Sequence, residues 1–522
     1  MSDNLEEMQA EAAKLEMEAH LESSSVKAYT KNVEVPALAA IGDVPKTGKE
    51  KPARVWHALI SFGALVAIMA VGIIVFEVDP HVPMACGVVV AAVVSMVLGY
   101  SWDQLQKAMM DGVYRALQSI IILIIIGILI GVWIVAGVVP TMIYYGMMLL
   151  SPSIFLVAAV LICSITSLAT GTSWGTIGTM GLALMGIAVG LGIPAPAAAG
   201  AIISGAYFGD KLSPLSDTTN LASAMAGTDV FTHIKFMILP TLVAYILALL
   251  AFAFLGFTYV SNGTVDLSGV QAISDGLAAS FNINPVLLLP PLVVIVAVAL
   301  KVPAIPGIAL GIIAGAVCGM IFQPGICDLG AVLGCGMNGY VSEIGVEAVD
   351  DLLTSGGIVN MMSSVCLTIL AMCFGGIMET TGQLEAVVNK LMGLVRGKVG
   401  LVVLTEFTCV LSNVTMPEQY ISLVIPGRMY AKAYSDYNLD PKTLSNALES
   451  SGTVSSPLVP WNTCAVFIAS TIGLSTFTYL PFCFFNLLMP FVTIILAIFG
   501  VTLADKATGK RLCTLKKEQP AA

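Results

Sequence analysis

The chain has 522 residues, of which 57% are hydrophobic and only 11% charged, where a soluble globular chain carries about 25% charge. With a mean hydropathy of +0.92, this composition excludes a soluble globular domain and predicts an all-α polytopic membrane protein. The net charge of −10 comes without any basic stripe, which argues against nucleic acid as a partner.

Residues 1–55 form a polar leader rich in Glu and Lys, read as a solvated extension, with a regulatory tail as the alternative. The first apolar segment starts near Trp56, too late and too long for a cleaved secretory signal. Ten crossings follow from hydropathy, at 56–78, 82–99, 116–139, 152–192 (interrupted), 231–258, 285–300, 303–322, 357–379, 399–435 (interrupted) and 477–503. Two further segments, about 194–227 and 443–471, have polar, Pro-containing centres and are expected to be re-entrant hairpins that enter and leave on one side. An external linker spans 259–284 and a cytoplasmic tail 504–522.

Positive charge orients the chain. Lys46, Lys49, Lys51, Arg54, Lys107, Arg115, Lys235, Lys390, Arg396, Lys398, Lys506, Lys510, Arg511, Lys516 and Lys517 fall on one side if the N-terminus is cytoplasmic. The loops 259–284 and 323–356 contain no Lys or Arg. Arg428, Lys432 and Lys442 are exceptions that this topology places outside, accompanied there by Asp436 and Asp440.

The chain resembles itself at an offset of 243 residues. "LATGTSWGT" (168–176) meets "LSNVTMPEQ" (411–419), and "GDKLSPLSDTTN" (209–220) meets "GTVSSPLVPWNT" (452–463). Five crossings per half, an odd number, make the halves opposite in orientation, an inverted repeat with residues 56–258 as its first unit and 285–503 as its second.

The polar islands hold the candidate site. Thr170, Thr172 and Ser173, with the glycines among them, favour an unwound stretch. In its counterpart Pro417 frees the carbonyl of Asn413. Unwound backbone at membrane depth is tolerated only inside protein or against a water-filled cavity, and carbonyl and hydroxyl oxygens suit a small cation. Thr170, Thr172 and Ser173 are expected to face Ser213, Ser216 and Thr219, with Asn220 at the same tip, and Asn413 and Thr415 to face Ser456 and Thr463. Ionisable residues cost about 2.5–3.5 kcal/mol or more at a helix centre. Asp210, Asp217, Glu406, Glu418 and Glu449 are therefore the candidate cation or proton carriers, with Glu379 a weaker candidate that ends its span. The bland alternatives are that Asp210 pairs with Lys211 to fix the tip, and that Glu418 and Glu449 lie near outer water. Trp174 and Trp461 read as packing residues or interface anchors. The eleven cysteines show no C-x-x-C pair and read as small core side chains; only Cys327 and Cys335 share a polar loop where pairing is conceivable.

"GDKLSPLSDTTNLA" (209–222), "TGTSWGT" (170–176), "FGGIMETTGQLE" (374–385) and "SSPLVPWNT" (455–463) together resemble the NhaC family of sodium/proton antiporters. That family sits in an ion transporter superfamily that includes sodium/dicarboxylate carriers. The resemblance covers about residues 55–505. It implies two re-entrant hairpins, a scaffold, a mobile transport domain, a homodimer in the lipid bilayer of the plasma (inner) membrane, and coupled exchange of Na+ for H+ with no cofactor. Na+ would bind at the same oxygens and carboxylates that protons neutralise, with elevator-like alternating access. Because the family also resembles a malate–lactate exchanger, an organic-acid or amino-acid exchanger is the alternative; no Arg lies in either hairpin to hold a carboxylate. An intramembrane hydrolase is disfavoured: His20, His57, His81 and His233 all lie outside the polar islands, and no H-E-x-x-H is present.

Overall fold

The computed structural model describes residues 50–513, apart from residues 77, 262–266, 301, 346–349, 351–352 and 394. Most of the polar leader and the end of the C-terminal tail thus lie outside the described residues. Lipid offers no hydrogen bonds, so each apolar run satisfies its own backbone as helix. Among the described residues no sheet forms, only isolated bridges. Eight helices among the described residues are long and apolar enough to cross a membrane, and up to ten if each of two sharply bent pairs counts as one span. The chain is a multi-pass membrane protein.

The first repeat contains α1 (Val55–Ala70), α2 (His81–Val97), α3 (Trp102–Arg115), α4 (Leu117–Val135), α5 (Val138–Leu149), α6 (Pro152–Thr170), α7 (Ser173–Gly190), α8 (Ala195–Leu212), α9 (Asp217–Ala226) and α10 (Val230–Ser261). The short α11 (Leu267–Ser280) links it to the second. There follow α12 (Leu289–Ala299), α13 (Ala304–Phe322), α14 (Leu329–Asn338), α15 (Ile358–Thr380), α16 (Gln383–Met392), α17 (Gly397–Thr415), α18 (Ile421–Asp436), α19 (Pro441–Leu448), α20 (Thr463–Ile472), α21 (Thr476–Tyr479) and α22 (Phe484–Ile498). The internal repeat is visible in these bounds. Adding 243 to α4 gives 360–378 against the observed Ile358–Thr380, and adding it to α6 gives 395–413 against Gly397–Thr415.

The two hairpins and the two interrupted crossings exchange places relative to the expectation. Thr408 Oγ1 meets Tyr430 OH at 2.6 Å and Thr405 Oγ1 meets Tyr434 OH at 3.0 Å, so α18 runs back antiparallel along α17. Residues 397–436 are therefore a hairpin with its tip at 416–420. In the first repeat α8 runs parallel to α6, with Gly205 against Val160 and Gly209 against Ser164. It runs antiparallel to α7, with Ile202 against Gly181 and Asp210 against Ser173. Hence α6 and α7 are opposed, and the chain reverses at Gly171, whose φ of 72° lies in the left-handed region that favours glycine.

The segments expected to be hairpins instead run through. α8 starts beside Phe482, with Gly200 against its carbonyl, and α9 ends with Met225 against Gly427. At 1.5 Å per residue, α8 covers about 27 Å before the break at 213–216 and α9 about 15 Å after it. In the second repeat α19, a π turn at Glu449–Thr453 and a 3-10 turn at Ser456–Leu458 lead through a break into α20. Hydropathy cannot separate the two cases, because a broken crossing and a hairpin both show two apolar arms around a polar centre.

This exchange resolves two of the three basic exceptions, Lys432 and Lys442. Asp440 N donates to Ala504 O, Lys442 Nζ to Gly509 O, and Arg511 Nη2 to Phe236 O. The end of α18, the start of α19, the start of α10 and the tail at 503–511 thus share one face. Lys432 and Lys442 lie there with Lys235, Lys506, Lys510 and Arg511, instead of opposite them.

Small residues let the site-bearing helices approach. A Cβ on Gly209 would fall 2.4 Å from Ser164 O, and one on Gly205 would fall 2.3 Å from Val160 O. Close backbone approach of this kind is the usual way helices associate in lipid. Of the two loop cysteines, Cys327 is buried and Cys335 lies on α14; both are free thiols.

Candidate ion-binding site

Each hairpin tip abuts the break of the crossing beside it. In the first repeat, Gly171 packs so closely on the break that an added Cβ would meet the Leu215 carbonyl carbon at 2.6 Å. Thr170 Oγ1 donates to Thr166 O, and Thr172 caps α7 by accepting from Gly175 N. Ser173 grips Asp210 twice, through its backbone N–H at 3.1 Å and its hydroxyl at 2.7 Å, both to Oδ2. Across the break, Ser213 Oγ accepts from Leu215 N, and Ser216 caps α9 by accepting from Thr219 N. Thr219 Oγ1 donates to Lys211 O at 3.1 Å, and Asn220 Nδ2 donates to Ser216 O at 2.7 Å. Asp210 is buried, whereas Asp217 is exposed at the start of α9.

In the second repeat, Asn413 ties the tip to the crossing. Its Nδ2 donates to Gly452 O at 2.7 Å and Ser455 Oγ at 3.0 Å, while its Oδ1 accepts from Asn462 Nδ2 at 3.1 Å. Thr463 N donates to Pro417 O at 3.0 Å, so the carbonyl of the helix-ending proline is used by the opposite break. Thr415 Oγ1 donates to Leu411 O, and Ser456 Oγ to Thr453 O. Thr463 Oγ1 is buried with no partner. Glu418 accepts from Tyr420 N and Ile421 N, so it caps α18 at the end where a helix favours negative charge. The hydroxyls and amides expected at each clamshell are thus gathered in two places, one per repeat.

The two half-sites are joined through the crossings. Thr218 Oγ1 on α9 donates to Glu449 Oε1 at 3.2 Å, and Lys211 Nζ on α8 donates to Ser450 Oγ at 3.1 Å. Lys211 therefore points away from Asp210 into the second repeat, and the expected tip-fixing pair of neighbours does not form. Glu406, on α17, is buried with neither carboxylate oxygen hydrogen-bonded, and Glu449 has one oxygen in the same state. His233, on α10, is fully buried; its Nδ1 pairs with Ser445 Oγ at 2.7 Å and its Nε2 has no partner. Trp174 stacks on Phe467 with ring centroids 4.4 Å apart, and Trp461 Nε1 donates to Val414 O, so both pack the tips. Glu379 pairs instead with Arg115 on α3.

Sequence reasoning missed Lys211, Thr218, His233, Ser450 and Asn462. The available signal was the run "ESSGTVSS" (449–456), more polar than any lipid-facing helix tolerates. Among the described residues no three His, Cys, Asp or Glu side chains gather as a metal centre. What is present is a set of hydroxyl, amide and carbonyl oxygens beside buried carboxylates, which is chemistry for a weakly held monovalent cation or for protons.

Broken crossings, opposed hairpin tips and a buried charged cluster between two inverted repeats define a membrane protein of the discontinuous-helix, inverted-repeat class. The pattern of the Na+/H+ antiporter family matches residues 205–501. The Na+/H+ antiporter NhaC of Alkalihalophilus pseudofirmus is 36% identical over 452 residues, covering 87% of this chain and 97% of that protein. The malate-2H+/Na+-lactate antiporter of Bacillus subtilis is 38% identical over 448 residues, 86% of this chain and 94% of that protein. The arginine/ornithine antiporter ArcD of Halobacterium salinarum is 35% identical over 455 residues, 86% and 93% of the two chains. This chain belongs to the Na+/H+ antiporter family.

Proposed function

We propose that the protein is a secondary active Na+/H+ antiporter that carries both ions through one competitive site. The observation behind this reading is the pair Glu406 and Glu449, buried between the repeats with three carboxylate oxygens that no donor satisfies. An ionised carboxylate in that position needs a proton or a cation to remain there. Whichever arrives excludes the other, and that competition is exchange.

Asp210, gripped by Ser173, and Asp217, at the mouth of the first break, add carboxylates on the first-repeat side. Thr170, Thr172, Ser213, Ser216, Thr219 and Asn220 supply neutral oxygens there, and Asn413, Thr415, Ser456 and Thr463 do so on the other. Glu418 stabilises its tip. Residues 56–258 and 285–503 act as the two repeats joined by the linker 259–284. The hairpins and broken crossings move as a transport unit against a scaffold, in a homodimer embedded in the bilayer. The basic face, with both chain ends, is cytoplasmic.

Purified protein in liposomes with an internal pH-sensitive dye tests the reading. External Na+ should drive proton efflux, with a half-saturating concentration that rises as external pH falls. Absence of Na+-driven flux, with flux instead on malate, lactate, arginine or ornithine, would overturn it. That second reading, organic-acid or amino-acid exchange, is favoured by Lys211, a fully buried ammonium of the kind that would hold a substrate carboxylate in a site lacking Arg.

A further inference from the structure

The frame of the site is repeated, but its charge is not. At the offset of 243, Lys211 matches Val454, Glu449 matches Ala206, and Glu406 matches Cys163. All three charges lie together, where the crossing of the first repeat inserts its lysine into the second. Lys211 and Glu449 are fully buried and Glu406 nearly so. Glu449 and Glu406 both act on Lys211 electrostatically. Yet among the described residues Lys211 donates to Ser450 and to no carboxylate, and three carboxylate oxygens are left without a donor. One ammonium thus stands with two carboxylates, and this trio is short of one positive charge.

We propose that Lys211 sets the charge of this pocket so that it is neutralised by a single proton or a single monovalent cation, which makes Lys211 the residue that fixes how many charges the site exchanges. This inference rests on the antiport reading and names the residue that sets its coupling. The other groups facing the pocket do not supply the missing charge. Asp210, which also acts on Glu449, is held by Ser173 and brings no positive charge, Thr218 spends its hydroxyl on Glu449, and His233, on which Lys211 acts, is held by Ser445. The π turn at Glu449–Thr453 places Glu449 and Ser450 together on the pocket, Glu449 accepting from α9 and Ser450 from Lys211.

The proposal makes removal of one charge harmful in either direction and removal of one of each sign tolerable. Without Lys211 the pocket would need two positive charges, and without Glu406 it would need none. Lys211→Gln, Glu406→Gln, the double variant and Lys211→Arg would be compared in the full chain in proteoliposomes. Each single glutamine variant should lose Na+-driven proton flux by roughly 100-fold, the cost of one uncompensated buried charge. The double variant should recover to within about 10-fold of wild type, and Lys211→Arg should retain flux. A double variant no faster than Lys211→Gln would overturn the proposal, as would a single variant with near wild-type flux. A lysine that only anchors Ser450 predicts no recovery, since neutralising Glu406 does not restore that hydrogen bond. Wild-type flux separately tests the antiport reading. If the wild type moves no Na+, the melting midpoints of the same four proteins decide: Lys211→Gln should melt lower than the double variant, and the reverse order overturns the charge balance. If Lys211→Gln fails to fold, recovery of folded protein in the double variant reports the same balance, and failure of both overturns it.

Discussion

Residues that look alike in sequence carry different duties here, and the hydrogen bonds separate them. Asp210 is buried and held by Ser173, while Asp217 is exposed at a helix start. Asp210→Asn should abolish Na+-driven proton movement in folded protein, and Asp217→Asn should shift the apparent Na+ constant far less. Flux of both variants in the same liposome assay checks the order, and equal loss in the two would reject it. Asn413 and Thr463 form a second contrast. Asn413 is saturated by the Gly452 carbonyl, Ser455 and Asn462, so Asn413→Ala strands buried partners and should cost about 1–3 kcal/mol of stability, read as a lower melting midpoint. Thr463 Oγ1 has no protein partner, so Thr463→Val should leave the melting midpoint nearly unchanged. Losing one neutral ligand worth about 0.5–1.5 kcal/mol should instead raise the apparent Na+ constant by about 2–15-fold.

Helices set where those side chains stand. α6 and α8 touch through glycines, and Gly209→Ala would drive a Cβ to 2.4 Å from the Ser164 carbonyl oxygen and 2.6 Å from the Leu168 nitrogen. Backbone on both sides cannot yield easily, so a loss of about 1–3 kcal/mol is expected, with less folded protein recovered in detergent. Reversal of α17 into α18 has a topological consequence. A cysteine at Asn438 should react with an impermeant thiol reagent from the same side as one at Thr508, because Lys506 N donates to Asn438 O. A cysteine at Asn282, in the linker 259–284 beside α5, should react only from the opposite side. These would be made in a background free of reactive native cysteines, and labelling of Asn438 and Thr508 from opposite sides would restore the crossing that hydropathy predicts at 399–435.

Across the whole molecule, the proposed mechanism has the hairpin and crossing unit move against the helices that hold it. Ser364 on α15 and Ser470 on α20 touch through their hydroxyls at that boundary. Cysteines placed at both positions should form a disulfide that halts flux, and reductant should restore it. Full flux in completely cross-linked protein would exclude relative motion between α15 and α20. Some charges do not join the site at all. Glu379, in the "FGGIMETTGQLE" stretch, pairs with Arg115 between α15 and α3, a contact far in sequence that composition alone could not foresee.

Sequence by itself determined the solvent, the repeat and the ingredients of the site. Apolar runs near the thickness of a bilayer admit only self-satisfied helices, and polar islands repeated at a fixed offset are too costly in lipid unless they face one another. Thr170, Thr172, Ser173, the 213–220 break, Asn413, Thr415, Ser456 and Thr463 become candidates on that ground, and so do Asp210, Glu406 and Glu449. Tertiary structure decided direction and partnership. Whether a polar break turns the chain back or lets it continue depends on which helix lies alongside, and Tyr430 and Tyr434 against α17, or Gly205 and Gly209 against α6, settle it through contacts invisible to hydropathy. Lys211 shows the same limit. Beside Asp210 in the chain it looks like a local ion pair, but successive residues of a helix project about 100° apart, and that rotation sends its ammonium to Ser450 in the other repeat.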